Sequence, residues 1–236
     1  MQPIAFGPRV IFELPFLDGI PVTETVVNTW IIMVVLVVLS ILGTRSFEKV
    51  PRGRQNVTEL VVEMLNKLTV QTMGEDKKNF APYMNTLFIL LLFMNLLGLI
   101  GLRPPTADLN TTMALAIMTF VLIHASGIRK KGIGGYFKGL TEPFVFLLPM
   151  NIMSELATPI SLSFRLFGNI VGGVIVISLA YGGLASLGEM IGLSALPIFQ
   201  GGAPVILHAY FDIFAGVLQS FIFAMLTMVF VSLAME

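Results

Sequence analysis

Five long apolar stretches limit the possible folds of this chain more than any other feature of its sequence. A helix needs about 20 mostly apolar residues to cross a bilayer, where only helices and closed barrels satisfy every backbone polar group. Charged residues make up 12% of the chain, half the roughly 25% of a typical soluble domain. The sequence therefore predicts an all-α integral membrane protein with about five membrane helices, at residues 26–43, 84–102, 111–128, 144–182 and 203–235.

The last two stretches are longer than one straight crossing requires. At 1.5 Å per residue, residues 203–235 would form a helix of ~50 Å against ~30 Å of hydrocarbon. Such a helix must tilt strongly, kink or protrude. Residues 144–182 contain Pro149 and Pro159, which predict interruptions of the helix. The intervening residues 183–202 fit a loop, a re-entrant turn or a continued helix.

The lysine and arginine residues are distributed unevenly around these stretches. Eleven of the fourteen lie in two connections, one after the first stretch and one after the third. Because basic residues accumulate in cytoplasmic loops, these connections are predicted to face the cytoplasm, with the N-terminus outside and the C-terminus inside. The eleven residues are Arg45, Lys49, Arg52, Arg54, Lys67, Lys77, Lys78, Arg129, Lys130, Lys131 and Lys138.

The first of these connections contains a helical pattern near residues 55–73. Its apolar residues recur at the spacing of one helix face, and Asn56 with Glu59 is the predicted N-cap pair. Two interpretations stay open: the helix lies on the cytoplasmic membrane surface, or it packs against a partner subunit. The apolar residues are Val57, Leu60, Val61, Met64, Leu65 and Leu68.

Few ionisable residues fall inside the predicted spans, and each is costly there. An arginine at the centre of a bilayer costs from ~3 kcal/mol on insertion scales to more than ~10 kcal/mol in simulations. Ser161, Arg165 and Asn169 are spaced by four residues, so they share one stripe of a helix. Intramembrane charges mark functional sites by default, and this stripe is therefore a candidate site.

A second polar stripe lies on the last span. His208 and Asp212 are four residues apart, and Gln219 follows seven residues later on the same side of a helix. Two long helices thus each carry a polar stripe within an apolar body. The two stripes are predicted to face each other or a shared aqueous cavity.

A structural role is the alternative for these polar groups. Arg165 would then close a buried ion pair with Asp212 or Glu155. Buried pairs rarely add stability over apolar replacements, which favours a functional role for Arg165. For Glu155 and His208 both roles stay open. His124 lies close to the basic inner boundary of the third span and is interpreted as structural.

Several classes of chemistry are excluded by what the sequence lacks. There are no cysteines and only two histidines, which excludes disulfides, thiolate metal sites and a histidine metal cluster. No GxxxxGK[ST], HExxH or GxSxG motif occurs, so nucleotide chemistry and the common hydrolase sites are absent. A net charge of zero gives no indication of a nucleic-acid partner. The chain is predicted to hold no cofactor and not to be an enzyme by itself.

Three segments together resemble one protein family. They are "SELATPISLSFRLFGNIVGG" at 154–173, "LQSFIFAMLTMVFVSLAME" at 218–236 and "RPPTADLNTT" at 103–112. The first resembles the signature around the essential arginine of subunit a in the membrane sector of F-type ATP synthases. The second resembles the last helix of that family, and the third resembles a loop before one of its membrane helices. The resemblance runs from about residue 26 to the end.

The resemblance implies a stator channel lying against a rotating ring of c subunits. Two offset aqueous half-channels would open to opposite sides of the membrane, and Arg165 would lie between them. Its charge would make each ring carboxylate release its proton or sodium ion and would block direct leakage. The remaining partners would be the b subunits of the peripheral stalk and the rest of the complex, in a bacterial plasma membrane.

The chain is predicted to form a single membrane domain with three parts. Residues 1–25 would form an outer N-terminal segment, and residues 26–139 the peripheral helices with the cytoplasmic surface helix. Residues 140–236 would form the ion-translocating helix pair, in which both helices are long and strongly tilted around the ring.

Site residues carry over from the family one by one. Ser161 and Asn169 match polar positions one turn on either side of the arginine, and Gln219 matches a glutamine facing it. Asp212 matches a position with histidine or an acid in different relatives, which implies a proton relay in the outer half-channel, assisted by His208. Glu155 would help to line a path.

Two positions depart from the family pattern. Many bacterial relatives have an acid where this chain has Val174, and relatives often have a basic residue where it has Thr158. Both departures bear on the route of the half-channels.

A secondary transporter that binds an anionic substrate at Arg165 is the main alternative function. Such proteins often contain two repeated halves, and no second segment like "RLFGN" occurs here. Five crossings in 236 residues also leave little material for an alternating-access core.

Overall fold

The structure is a computed structural model that describes residues 8–15, 20–45, 48, 53–141, 144–190 and 206–236. Six long α-helices account for most of these residues. They are α1 (Glu24–Thr44), α2 (Arg54–Met73), α3 (Ala81–Leu96), α4 (Leu109–Leu140), α5 (Leu148–Met190) and α6 (Gly216–Met235).

Five helical spans among the described residues are long and apolar enough to cross a membrane, with mean hydropathies from 1.7 to 2.5. This confirms the predicted all-α membrane fold and the number of spans. The spans are Glu24–Thr44, Glu75–Ile100, Leu109–Leu140, Val145–Ser186 and Ile206–Met235.

The helix α5 is continuous, and the predicted interruptions at its two prolines are wrong. Pro149 is the second residue of the helix, where a missing backbone N–H leaves no intrahelical bond unmade. Pro159 lies inside the helix without ending it. With 43 residues, α5 is ~64 Å long and reaches Met190, so the region from 183 begins as continued helix. Residues 191–202 lie outside the described residues.

The helix predicted near 55–73 is confirmed as α2, whereas its place on the membrane surface stays a prediction. Its predicted cap is wrong, because the helix begins at Arg54 after Gly53, whose φ is 55°. Glu59 instead accepts a 2.6 Å hydrogen bond from Gln55 Nε2. Val57 and Met64 on the apolar face are each 62% exposed within this chain. Whether that face contacts lipid or a partner subunit stays a prediction.

A small antiparallel hairpin precedes α1 and was not expected from the sequence. Its strands are β1 (Val10–Leu14) and β2 (Ile20–Thr23). Strand β2 continues directly into α1, and Glu24 N donates to Arg9 O at 2.8 Å. The hairpin therefore belongs to the segment predicted to lie outside the membrane.

The core lies where α3 and α6 pack together between α1, α4 and α5. One cluster joins Ile32, Leu91, Leu115, Leu166 and Phe223, one residue from each of these five helices. The second cluster, toward the end of α6, joins α3, α4 and α6 with the last residue of α2, Met73. Buried polar side chains lie between the same helices, such as Thr112 on α4 and Ser163 on α5, whose hydroxyls are 3.0 Å apart.

A buried polar network fixes the start of α6 against α3. Asn95 donates to Gly216 O at 3.1 Å and to Ser220 Oγ at 2.8 Å, and it accepts from Thr106 Oγ1 at 2.7 Å. A side chain at Gly216 would meet Asn95 Cβ at 3.3 Å, so the glycine permits this close approach. These hydrogen bonds fix the position of α6, the helix that follows Asp212, along α3.

Candidate functional site

Arg165 lies on the exposed face of α5. Its neighbours on the helix, Leu162 and Leu166, are 3% and 0% exposed and belong to the core cluster with Phe223. The guanidinium makes no hydrogen bond or ion pair with any residue that the structure describes. The structural alternative, a buried pair with Asp212 or Glu155, is therefore not formed within this chain.

Arg165 shares its face of α5 with small and polar residues, the exposed Ser161 and Gly168 and the partly buried Asn169. The exposed apolar residues Leu156, Ile160 and Phe164 lie further round the helix, about 100–180° from Arg165 at 100° per residue. Gly168 follows, with no atom within 4 Å of where its Cβ would stand. An exposed cation on a membrane-spanning helix is unstable against lipid, so this face must meet an anionic group or an aqueous cavity.

Ser161 and Asn169 flank Arg165 as their spacing predicts. Ser161 is exposed and Asn169 is partly buried, and neither side chain makes a hydrogen bond to a described residue. The whole predicted stripe is thus free to contact something outside the chain.

Gln219 is buried on α6 and only 5% exposed. Its Nε2 is a buried donor with no partner among the described residues. Gln219 lies one turn before Phe223, which shares the core cluster with Leu166, the neighbour of Arg165. No hydrogen bond joins Gln219 to Arg165, so the structure brings their helices together without joining the two side chains.

Asp212 and His208 form a close pair before α6. Their atoms Oδ2 and Nδ1 are 2.6 Å apart, and the Asp212 side chain is 17% exposed. Asp212 belongs to a π-helical segment, Ala209–Ala215, a widened turn of a kind frequent at functional sites. A side chain at Gly98, at the end of the α3 span, would stand 3.4 Å from Asp212 Oδ1.

The π-helical segment packs directly against α5. A Cβ at Gly173 would stand 3.0 Å from Phe211 Cδ1, so only glycine fits there without displacement. The next residue, Val174, is 49% exposed and supplies no acid. Tyr181, further along α5, has its hydroxyl 3.4 Å from His208 Nε2. Sequence spacing could not reveal Tyr181, because the contact joins two separate helices.

Glu155 lies apart from Arg165 and from the Asp212 pair. Its side chain is 40% exposed, and Oε2 is 4.0 Å from Nε2 of His124 on α4. Thr158, where relatives often have a basic residue, donates its hydroxyl to Ser154 O at 3.1 Å. Along α5, Glu155 precedes Arg165 by ~15 Å and Tyr181 follows it by ~24 Å, at 1.5 Å per residue. We call these two regions the Glu155 end and the Asp212 end.

Metal binding is not indicated by the arrangement of these groups. Across the described residues, no three His, Asp or Glu side chains are grouped so that they could hold a metal ion.

Comparison with known proteins decides the family. The ATP synthase A chain family matches residues 26–232. The chain belongs to this family. It is 34% identical to "ATP synthase subunit a, sodium ion specific" of Propionigenium modestum, over 97% of this chain and 85% of that protein. It is 38% identical to ATP synthase subunit a of Moorella thermoacetica, over 93% of this chain and 94% of the relative.

As a member of the subunit a family, the chain is a multi-pass membrane component of an ATP synthase complex. A third relative, ATP synthase subunit a 2 of a Bradyrhizobium species, is 35% identical over 99% of this chain and 97% of its own length. None of these matches supports the alternative of a secondary transporter.

Proposed function

We propose that this subunit a is the ion-channel stator of an F-type ATP synthase, coupling proton or sodium flow to rotation of a c-subunit ring. The observation that carries the proposal is Arg165, exposed on a membrane-spanning helix without a partner among the described residues. A ring subunit carrying a carboxylate near mid-membrane supplies an anion that can pair with it. Family membership supports the same assignment.

Arg165 acts through a charge that is permanent at any physiological pH. When a ring carboxylate approaches, the guanidinium stabilises its ionised form, so the carboxylate releases its ion before passing. The planar guanidinium can donate two parallel hydrogen bonds to the carboxylate. The same charge repels free cations and prevents direct leakage between the two half-channels.

Gln219 assists Arg165 from α6. Its amide is buried beside the contact of α5 and α6, and Nε2 lacks a partner in the described residues. An amide with unused hydrogen-bonding capacity has a strong preference for a new partner. When the ring is in place, Gln219 Nε2 donates to the ring carboxylate and Oε1 accepts from the guanidinium, while Ser161 and Asn169 line the ring-facing stripe.

The Asp212 end forms the outer half-channel. Asp212 and His208 are already in contact at 2.6 Å, so a proton can pass between Oδ2 and Nδ1 without a large movement. If the ion is sodium, the Asp212 carboxylate serves as an oxygen ligand instead. Glu155, at the opposite end of α5 from Tyr181, lines the path on the inner side.

The remaining parts of the chain take supporting roles. Residues 140–236 form the ion-translocating helix pair, tilted around the ring, and residues 26–139 form the peripheral helices. The b subunits of the peripheral stalk and the rest of the complex are its other partners. The subunit lies in the plasma membrane with its N-terminus outside and C-terminus in the cytoplasm, and it performs no catalysis itself.

The energy that this subunit handles is the ion gradient. Each elementary charge that crosses 100 mV releases ~2.3 kcal/mol. Nucleotide chemistry needs several such steps, so a rotating ring that sums them is the coupling device that the proposal requires.

The deciding experiment is ion-driven ATP synthesis by the whole complex in liposomes, with proton and sodium gradients applied separately. Arg165→Ala should abolish synthesis and ATP-driven pumping while the subunit remains in the membrane at normal amounts. Arg165→Lys keeps the charge but loses the planar fork, so it should retain a small residual activity. Coupled synthesis at the wild-type rate in Arg165→Ala would overturn the proposed function.

A further inference from the structure

A second tyrosine–histidine–carboxylate group lies at the Glu155 end. The His124 ring has a titratable neighbour at each nitrogen: Nδ1 is 2.9 Å from the Tyr136 hydroxyl, and Nε2 is 4.0 Å from Glu155 Oε2. From the sequence His124 is predicted to be structural, and its contact with Tyr136 depends on the fold. The geometry gives both residues a place next to a group already proposed to line the ion path.

The chain builds this group through a sharp bend in α4. Gly132 has φ 75° and ψ 162°, so the residues after it fold back beside the preceding helix. Tyr136 then rests on Gly127, where an added Cβ would stand 2.9 Å from the Tyr136 ring. Phe120 packs edge-on against the imidazole, with 3.9 Å between ring centroids. The His124 ring is thus held with both nitrogens directed at neighbours.

Two charged groups near this end, Glu236 and Lys77, contact each other rather than His124, and the basic residues Arg129, Lys130, Lys131 and Lys138 follow His124 on α4. Among the described residues, Glu155 from α5 and Tyr136 from α4 itself are the titratable side chains in contact with His124. Helix α6 packs against the same part of α4 and contributes Glu236, whose carboxylate is 3.7 Å from Lys77 Nζ. The 3₁₀ turn before α3 contributes that Lys77, which also donates to Ser232 Oγ at 2.7 Å.

We propose that Glu155, His124 and Tyr136 form a proton relay at the cytoplasmic mouth and that the ion carried is therefore the proton. The proposal rests on the proposed function, because it assigns the inner half-channel of that stator. Its position fits: the group lies ~15 Å from Arg165 along α5, on the opposite side from Tyr181. Basic residues follow His124 closely on α4, which predicts that this end faces the cytoplasm.

The relay conserves protons at every step. Protonated Glu155, after a rotamer change that closes the 4.0 Å gap, gives its proton to His124 Nε2. His124 releases the proton on Nδ1 to the Tyr136 hydroxyl oxygen, whose own proton passes to cytoplasmic water. The ring returns to its first tautomer by losing the Nε2 proton to water and gaining one at Nδ1. Its side chain is 23% exposed within this chain, and this step requires that water reaches the exposed part.

An imidazole in series favours protons over sodium ions. Hard cations are bound by oxygen ligands, whereas an imidazole can both accept and release protons. At both ends of α5 a histidine ring lies between the tyrosine and the carboxylate. A sodium ion would have to bypass both rings.

The test is ATP synthesis by the complete complex in liposomes, with the pH on the cytoplasmic side varied while the proton gradient is held constant. Tyr136→Phe keeps the ring that fills the space at Gly127 and removes only the hydroxyl. His124→Gln and Glu155→Gln remove the other two titrating groups. Each is expected to lower the rate severalfold and to shift its dependence on cytoplasmic pH, without changing its dependence on outer pH. Tyr83→Phe, a tyrosine packed beside the core clusters, is the matched control and should leave both profiles unchanged.

The outcomes separate this inference from the proposed function. If Arg165→Ala abolishes synthesis but all three variants keep the wild-type cytoplasmic pH profile, the relay is wrong and the stator function stands. Synthesis driven by a sodium gradient alone would also overturn the relay. If Tyr136→Phe fails to assemble, as judged by subunit content of the membranes, the half-exposed Glu155→Gln decides the matter.

Discussion

Each end of α5 has a tyrosine, a histidine and a carboxylate side chain close together. The two ends differ in which of the two contacts with the histidine is the shorter. At the Asp212 end the carboxylate is 17% exposed and 2.6 Å from its histidine, while the tyrosine is 3.4 Å from that histidine. At the Glu155 end the carboxylate is 40% exposed and 4.0 Å away, and the tyrosine is 2.9 Å from its histidine. The short link is therefore carboxylate to histidine at one end and tyrosine to histidine at the other.

This difference follows from what holds each carboxylate. Asp212 has a short side chain in a π-helical segment that packs against Gly98 and Gly173, so its position is set by the backbone. Glu155 has a longer side chain on a regular helix and can change rotamer. We expect the Asp212 end to depend on fixed geometry, and the Glu155 end to depend on motion and on access to water.

The largest effect that distinguishes the ends should come from Asp212→Asn. Loss of a proton-transfer group costs on the order of a hundredfold, and the amide cannot ionise. Passive proton flux through the membrane sector, measured in vesicles, should fall by about that factor and lose its dependence on outer pH. Glu63→Gln, an exposed acid on α2, is the control and should not change the flux. A wild-type flux–pH profile in Asp212→Asn would remove Asp212 from the route.

A steric change should affect the Asp212 end selectively. Gly173→Ala places a methyl group 3.0 Å from Phe211 Cδ1, so the π-helical segment must shift and the Asp212–His208 contact with it. ATP synthesis should fall severalfold, with its outer pH dependence altered. Gly182→Ala is the matched control on the same helix, since nothing lies within 4 Å of its Cβ and it lies off the Arg165 stripe. Equal effects from the two substitutions would show that the close approach at Gly173 is unimportant.

A substitution in the contacts that hold the helices together near the Glu155 end should have a smaller effect, on stability rather than on ion flux. Lys77 is 9% exposed and holds the end of α6 through Ser232 Oγ at 2.7 Å. Lys77→Met should lower the stability of the extracted complex by about 2 kcal/mol, the usual value of a buried hydrogen bond to a charged group. The thermal midpoint in detergent measures this loss. The exposed Lys78→Met should leave the midpoint unchanged, and an equal shift in both variants would contradict the role of Lys77.

The smallest effect concerns the peripheral part of the chain. The Lys67 side chain, 2.8 Å from Glu63, lowers the pKa of that carboxyl below its ordinary value of 4.5 through a hydrogen bond and its charge. The ion pair therefore stabilises α2 at pH values above the ordinary pKa of Glu63. This stabilisation is lost as the pH falls through the lowered pKa of Glu63 in the folded protein. Lys67→Met should return the Glu63 pKa toward 4.5, as measured by NMR titration, without changing ion flux. A change in flux would connect α2 to the ion path.

The sequence alone determined the spans and the candidate residues, because both follow from the cost of polar groups in lipid. Because of that cost the spans must be long apolar helices, and an arginine within a span is a candidate functional residue whichever way its side chain points. Helical spacing also paired His208 with Asp212, a contact within one segment. The sequence signals at Pro149 and Pro159 were misleading, because helix α5 tolerates one proline in its first turn and the other in its interior.

Tertiary structure alone decided which groups meet across helices. The outward direction of Arg165, the approach of Tyr181 to His208 and the return of Tyr136 to His124 depend on how α4, α5 and the π-helical segment pack. The same holds for Gly127 and Gly173, whose missing side chains matter only because an aromatic ring from elsewhere occupies the space. Periodicity describes one helix at a time, whereas these contacts depend on the angles and distances between helices.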